Sequence, residues 1–364
     1  MSIRGESKLV TIPYMDWYSH VDPTVASGVR YCPTRGPVSL ILLISPRCMS
    51  SSPRTKPADR KGGDLMEEEL RPSVSPPNTQ LTTADRLLRG ALALFAGSIT
   101  FSVLGMLLLQ IVPESLSYFG PYLGTLISAP TWTYMSMLPV LALLMYGPAL
   151  GWKRMAFFAV WGCFIGGASE LIGTTKLLAV GDLVLPFGEY EYTAWLGPKF
   201  ADHVPYFIPA SWFAMSIVSF DLARRISDTR WVYLAVAALF MTLWDVSLDP
   251  AMNGAGVQNA VGSAMFWSYP QGGFYYGMPI SNWLGWLGVS YVIMLGYEYL
   301  GGGLDTRHAW APMVYLLNCL FPLLILVMQG MTVAVVMGAV ATAIPFVVLR
   351  YTPGAAFRFL PANP

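Results

Sequence analysis

Trp231–Asp249 reads WVYLAVAALFMTLWDVSLD, an apolar run whose charged residues, Asp245 and Asp249, come only at its far end. A helix of ~20 such residues crosses the ~30 Å of hydrocarbon in a bilayer, and the run has that length. Its surroundings repeat the pattern. The chain of 364 residues is 54% hydrophobic and 12% charged, with a mean hydropathy of +0.50, whereas soluble domains carry about 25% charge. Lipid is therefore the expected solvent for much of the molecule.

Working outward from that run, apolar segments of similar length recur at Leu87–Val112, Trp132–Leu150, Met155–Thr175, Tyr206–Leu222, Asn282–Tyr299, Ala309–Met328 and Met331–Leu349. The expected architecture is all-α, a polytopic bundle of about eight transmembrane helices. Gln329 and Gly330 alone separate the last two segments, which suits a tight hairpin. Arg86, Arg89, Lys153, Arg154, Arg224, Arg225, Arg230, Arg307, Arg350 and Arg358 fall on one side of the bundle, and only Lys176 and Lys199 on the other. The positive-inside rule then places both termini in the cytoplasm of a multi-pass cell-membrane protein. Residues 1–85 are rich in Pro, Ser, Arg and Lys and are expected to be disordered or cytoplasmic. Met66, opening MEEEL, is an alternative start. Residues 86–350 form the membrane domain and 351–364 a short cytoplasmic tail.

Carboxylates inside a membrane are expensive, about 2.5–3.5 kcal/mol at a helix centre, and they usually face the interior and function. Glu170, Asp245 and Asp249 are the candidates, all in the outer half. Asp245 and Asp249 are four residues apart and project from one helical face. Pro250 is expected to end their helix, so that the negative end of its dipole disfavours a second charge beside the first. Such a pair can hold a proton for general-acid chemistry. Asp221, next to Arg224 and Arg225 at the cytoplasmic end, is expected to be a solvated partner for them.

Two loops flank this outer half. Lys176–Pro205 contains LPFGEYEYTAWLGPKFADHVP, and Pro250–Ile280 carries no charged residue at all. An uncharged loop full of Trp, Tyr and Gly suits either folding back over the bundle or an aromatic belt. Aromatic faces stabilise cations, so acids beside Tyr190, Tyr192, Trp212 and Trp244 suit protonation of a carbon–carbon double bond. His20, His203 and His308 form no HxxxH or HxxHH cluster, which removes a histidine-rich di-iron reading. The four cysteines contain no CxxC pair. Asp245 and Asp249 also match the DxxxD spacing of membrane prenyltransferases, but no second aspartate-rich motif or phosphate-binding basic group accompanies them. The net charge of +1 argues against a nucleic-acid partner.

Several blocks together resemble the carotenoid biosynthesis hydratases, of the γ-carotene 1′-hydroxylase and bisanhydrobacterioruberin hydratase type. They are Glu170-Leu-Ile-Gly173, Pro186-Phe-Gly-Glu-Tyr-Glu-Tyr192, Leu196-Gly-Pro198, Ile208-Pro-Ala-Ser-Trp212, Trp244-Asp245-Val-Ser-Leu-Asp249-Pro250 and Tyr276-Gly-Met-Pro-Ile-Ser-Asn282-Trp-Leu-Gly-Trp286. They run from about Ala168 to Trp286 and leave out the N-terminal tail and, largely, the last two spans. The resemblance implies addition of water across the C1–C2 double bond at the acyclic end of a carotenoid, giving a tertiary alcohol, with no oxygen, metal or redox cofactor required. The implied partners are the carotenoid in the bilayer and other membrane enzymes of carotenoid synthesis. In that setting Asp245 or Glu170 would be the acid and Asp249 a water-positioning or supporting group. Tyr190, Tyr192, Trp244, Trp212 and Asn282 would line the substrate site. A carotenoid end-group cyclase would need similar acids and aromatics, and a non-catalytic carotenoid carrier would need the acids only for packing.

Overall fold

Capping at Thr82 sets the first helix. Its hydroxyl accepts from the Asp85 N–H while the Asp85 carboxylate takes the Thr82 N–H, a reciprocal box. The structure, a computed structural model, describes residues 82–353 apart from 182 and 258–263. The readings of the N-terminal extension, of Met66 and of Arg358 lie outside the described residues. The long helices are α1 (Thr83–Ile111), α3 (Leu123–Leu150), α4 (Trp152–Thr175), α5 (Ile208–Arg224), α6 (Arg230–Asn253), α7 (Ile280–Tyr299), α8 (Ala311–Met328) and α9 (Thr332–Tyr351), with a short α2 (Ser115–Phe119) before α3. Each expected apolar segment is one of these helices.

Among the described residues, six stretches are long and apolar enough to cross a membrane: α1, Ser115–Leu150, α4, α6, α8 and α9. The sequence suggested eight. α5 has 17 residues and α7 is interrupted by Gly, Ser and Trp, so neither meets that measure. α5 is instead buried along almost its whole length, packed against α3, α4, α6 and α8. α3 begins at Leu123 rather than Trp132, because Pro130 is accommodated inside the helix.

Three two-stranded antiparallel ribbons occupy the loops: β1 (Ala179–Val180) with β2 (Leu183–Val184), β4 (Lys199–Phe200) with β5 (Val204–Pro205), and β3 (Glu191–Tyr192) with β6 (Trp267–Ser268). The last pair joins the two unusual loops, with Tyr192 opposite Trp267. The described part of the uncharged loop around Trp267 and Ser268 therefore folds back over the bundle, one of the two arrangements that its sequence suits. Of the described cations, only Lys176 and Lys199 share that face; the others sit at the opposite helix ends.

Close helix contact replaces solvent-driven association inside a membrane, and α4 meets α5 in this way. A Cβ at Gly162 would lie 2.8 Å from the Phe213 Cα, and one at Gly166 would lie 2.5 Å from the Trp212 Cβ. Glu170 is the next residue on the same i, i+4 face. The tight packing thus carries its carboxyl directly onto α5.

Candidate active site

Glu170 is buried at 4% exposure, and its carboxylate is fully engaged. Trp212 on α5 donates its indole N–H to Oε1 at 2.8 Å, Tyr192 donates to Oε2 at 2.7 Å, and the Tyr190 hydroxyl donates to the same oxygen. Tyr190 and Tyr192 lie two apart on an extended segment, so both side chains point to one side. Burial, and next the Glu170 carboxylate, push both hydroxyls well above the usual tyrosine range. They are donors throughout the physiological range.

The second acid group lies on α6. Pro250 does not end this helix, contrary to the sequence reading; α6 runs on to Asn253 and stops at Gly254, whose φ of +71° suits glycine. A proline at 250 leaves the Val246 carbonyl without its helical N–H, and the Tyr275 hydroxyl donates to that carbonyl at 3.2 Å. Asp245 and Asp249 therefore stand inside the helix, each 1% exposed. Asn282, in the first turn of α7, donates its amide nitrogen to Asp245 Oδ2 at 2.8 Å and to Asp249 Oδ2 at 2.7 Å. Trp267 adds an N–H to Asp249 Oδ1 at 2.6 Å, and Tyr269 an O–H to Oδ2 at 2.6 Å. These two also sit two apart, at the end of the β3–β6 ribbon. Burial, followed by the neighbouring Asp249, pushes the Tyr269 hydroxyl far up.

The two loops thus act alike: each presents a pair of alternate aromatic donors to one carboxylate. The pairs meet through Tyr190 and Tyr269, with ring centroids 5.8 Å apart. Glu170 accepts from three side chains, and Asp249 from Asn282, Trp267 and Tyr269 with Asn253 as a further partner. Asp245 accepts only from Asn282 among the described side chains. The described ion pairs all lie elsewhere.

Asp245 and Asp249 open onto a cavity of about 470 Å³ that is predominantly apolar, within the usual range for small-molecule sites. Tyr190, Tyr192, Trp212, Trp244 and Asn282 line it. Glu170 does not; it stands behind Tyr190, Tyr192 and Trp212. Trp286 completes the aromatic wall, stacked on Trp212 at 4.3 Å and edge-on to Trp244 at 5.7 Å. Tyr269 was not singled out from the sequence, although the Trp267-Ser-Tyr269 alternation mirrors Tyr190-Glu-Tyr192. The contribution of α1 and α3 to the cavity was also missed, because their lining residues are mostly apolar and none is charged.

Asp221 is not the solvated residue expected. It is fully buried, paired with the Arg225 Nε at 2.8 Å, and it accepts from the Tyr146 hydroxyl at 2.8 Å and the His308 N–H at 2.7 Å. Arg225 in turn donates to the His308 carbonyl at 2.7 Å. Arg224 lies instead over the Tyr233 ring.

Comparison with known proteins follows the same residues. The family described as "Carotenoid biosynthesis protein" matches residues 131–345, which takes in the last two helices that the motif blocks left out. A curated relative, bisanhydrobacterioruberin hydratase of Haloarcula japonica, is 32% identical over 129 residues, covering 34% of this chain and 40% of the relative. The chain thus matches less than half the length of that relative. No solved structure matches.

Proposed function

Since the chain belongs to the carotenoid biosynthesis protein family, we propose that it is a cell-membrane hydratase adding water across the C1–C2 double bond at the acyclic end of a carotenoid. One observation carries the reading: a buried aspartate pair, bridged by one amide and touched by no described cation, stands in a largely apolar, aromatic-walled cavity. The relative's name as a hydratase supports addition of water over other chemistry at the same bond.

In the proposed mechanism Asp245 is the acid. It accepts one hydrogen bond among the described side chains and can keep its proton, whereas Asp249 accepts several and fits the charged form. The Asp245 proton passes to C2, and the π electrons of the C1–C2 bond form the new C–H bond. C1 becomes a tertiary carbocation facing the Trp244 and Trp286 rings, whose π faces favour a cation. A water oxygen bonds to C1 and releases a proton to Asp249. Transfer of that proton across the pair to Asp245 resets the site, and the balance is addition of one H₂O. Glu170 positions Tyr190, Tyr192 and Trp212 from behind.

The test is expression in a bacterium that makes lycopene, with the extracted pigments weighed by mass spectrometry. A gain of one water per processed end is expected. A gain of oxygen alone overturns the reading in favour of an oxygenase, and an isomeric cyclised end does so in favour of a cyclase. Unchanged lycopene calls for γ-carotene and then a C50 carotenoid, and failure with all three also overturns it.

A further inference from the structure

The cavity continues past the aromatic wall to Phe101, Leu104 and Leu108 of α1 and Phe119 of α2. These residues line it and are also exposed, at 51%, 58%, 44% and 40%. On a helix apolar enough to cross the membrane, such exposure faces lipid. The cavity is thus closed at Asp245 and open sideways toward the bilayer. Gly105 lies between Leu104 and Leu108 in the lining, and a Cβ there would meet nothing within 4 Å. Space is therefore left free in the passage itself.

We propose that α1 and α2, with the facing part of α3, form a lateral portal that receives the polyene stem of the substrate while its end group reaches Asp245. The ligand's identity rests on the carotenoid reading above; the portal rests on the shape and exposure of the cavity. An extended polyene approaches the ~30 Å hydrocarbon thickness, and a cavity of about 470 Å³ suits an end group better than the whole chain. The stem then has to leave through the opening that exists. α1 and α2 precede the family match at residues 131–345. The family region thus supplies the acids, and the helices before it supply the residues that select the stem.

Gly105→Phe fills the passage without disturbing backbone, and Gly97→Phe is the control. Gly97 is an exposed glycine on the same helix, outside the cavity lining, with equal room for a side chain. Lycopene binding to purified protein in nanodiscs is followed by quenching of tryptophan fluorescence, independently of turnover. A side chain that overfills the passage competes with the ligand for its space, so Gly105→Phe is expected to weaken binding about tenfold, with Gly97→Phe at the wild-type value. Should the phenylalanine variant fail to fold, Gly105→Cys serves. Lycopene should protect that thiol, and not a thiol at position 97, from a maleimide, as read from the peptides by mass spectrometry. Equal binding by Gly105→Phe and wild type, equal labelling at 105 with and without lycopene, or no lycopene binding by wild type overturns the portal. Gly105-dependent binding without any hydrated product keeps the portal and removes the hydratase reading instead.

Discussion

Two groups of buried carboxylates stand at opposite faces of the bundle, and they are neutralised in different ways. Asp221 is held by a guanidinium, a hydroxyl and a backbone N–H, and the hydrogen bonds that it and Arg225 make with the His308 backbone tie α5 to the segment leading into α8. Asp245 and Asp249 have an amide, an indole and a phenol between them, and open onto a cavity. The first arrangement satisfies a charge and stops there. The second leaves one acid with a single described donor in a space that a ligand can enter. A buried carboxylate is expensive in either setting, and the proposed mechanism assigns the proton to the one with no described cation and a single described donor.

The largest effect is expected where the comparison is sharpest. Asp245→Asn should lower hydration by about 10²–10⁴-fold, the usual contribution of a positioned general acid, while insertion and thermal stability hold. Asp221→Asn should do the reverse. Removing one member of a buried ion pair typically costs 3–5 kcal/mol, so the unfolding midpoint in detergent should drop sharply while turnover per folded molecule stays at the wild-type level. Loss of turnover in folded Asp221→Asn would erase the distinction between the two faces. Next comes Asn282→Leu, which takes the shared donor from both aspartates. An unsatisfied buried polar group costs about 1–3 kcal/mol, and turnover should fall about ten- to a hundredfold; a wild-type rate would show that the bridge has no part in the reaction.

The helices and the carboxylates were legible in the sequence for one reason. Apolar runs of bilayer length are a strong signal, and a charge within one is conspicuous. What the sequence hid was partnership. Asp221 looked solvated because two arginines follow it, yet only Arg225 lies one turn away on the side that faces the interior. Pro250 looked like a stop because its missing N–H is visible in sequence, whereas the Tyr275 hydroxyl that occupies the freed carbonyl comes from a distant loop. The same holds for Trp267 and Tyr269, whose use depends on the pairing of β3 with β6. Glu170 was recognised, but its place behind the cavity wall could not be, since that depends on the glycine face that presses α4 onto α5.

That placement gives the smallest expected effect and the closest test of the comparison. Glu170 resembles Asp221 in having its oxygens fully engaged and Asp245 in having no described cation beside it. If contact with the cavity decides which acid reacts, Glu170→Gln should behave as a positioning change. The amide retains an oxygen for the Trp212 N–H, while its NH₂ faces the tyrosine hydroxyls, which must rotate to accept from it. About one hydrogen bond of roughly 1 kcal/mol is lost, so turnover should fall about fivefold, and the pH profile of the rate should keep its wild-type shape because the acid that titrates in the reaction is untouched. Glu170→Leu takes the carboxylate from three donors, leaving the Tyr190 hydroxyl only the backbone carbonyl at position 170, and should fall further, with Glu170→Gln restoring most of the loss. A Glu170→Gln variant as inactive as Asp245→Asn, or one whose pH profile shifts, would place Glu170 among the reacting acids, and access to the cavity would no longer separate the carboxyl that gives the proton from those that hold the wall in place.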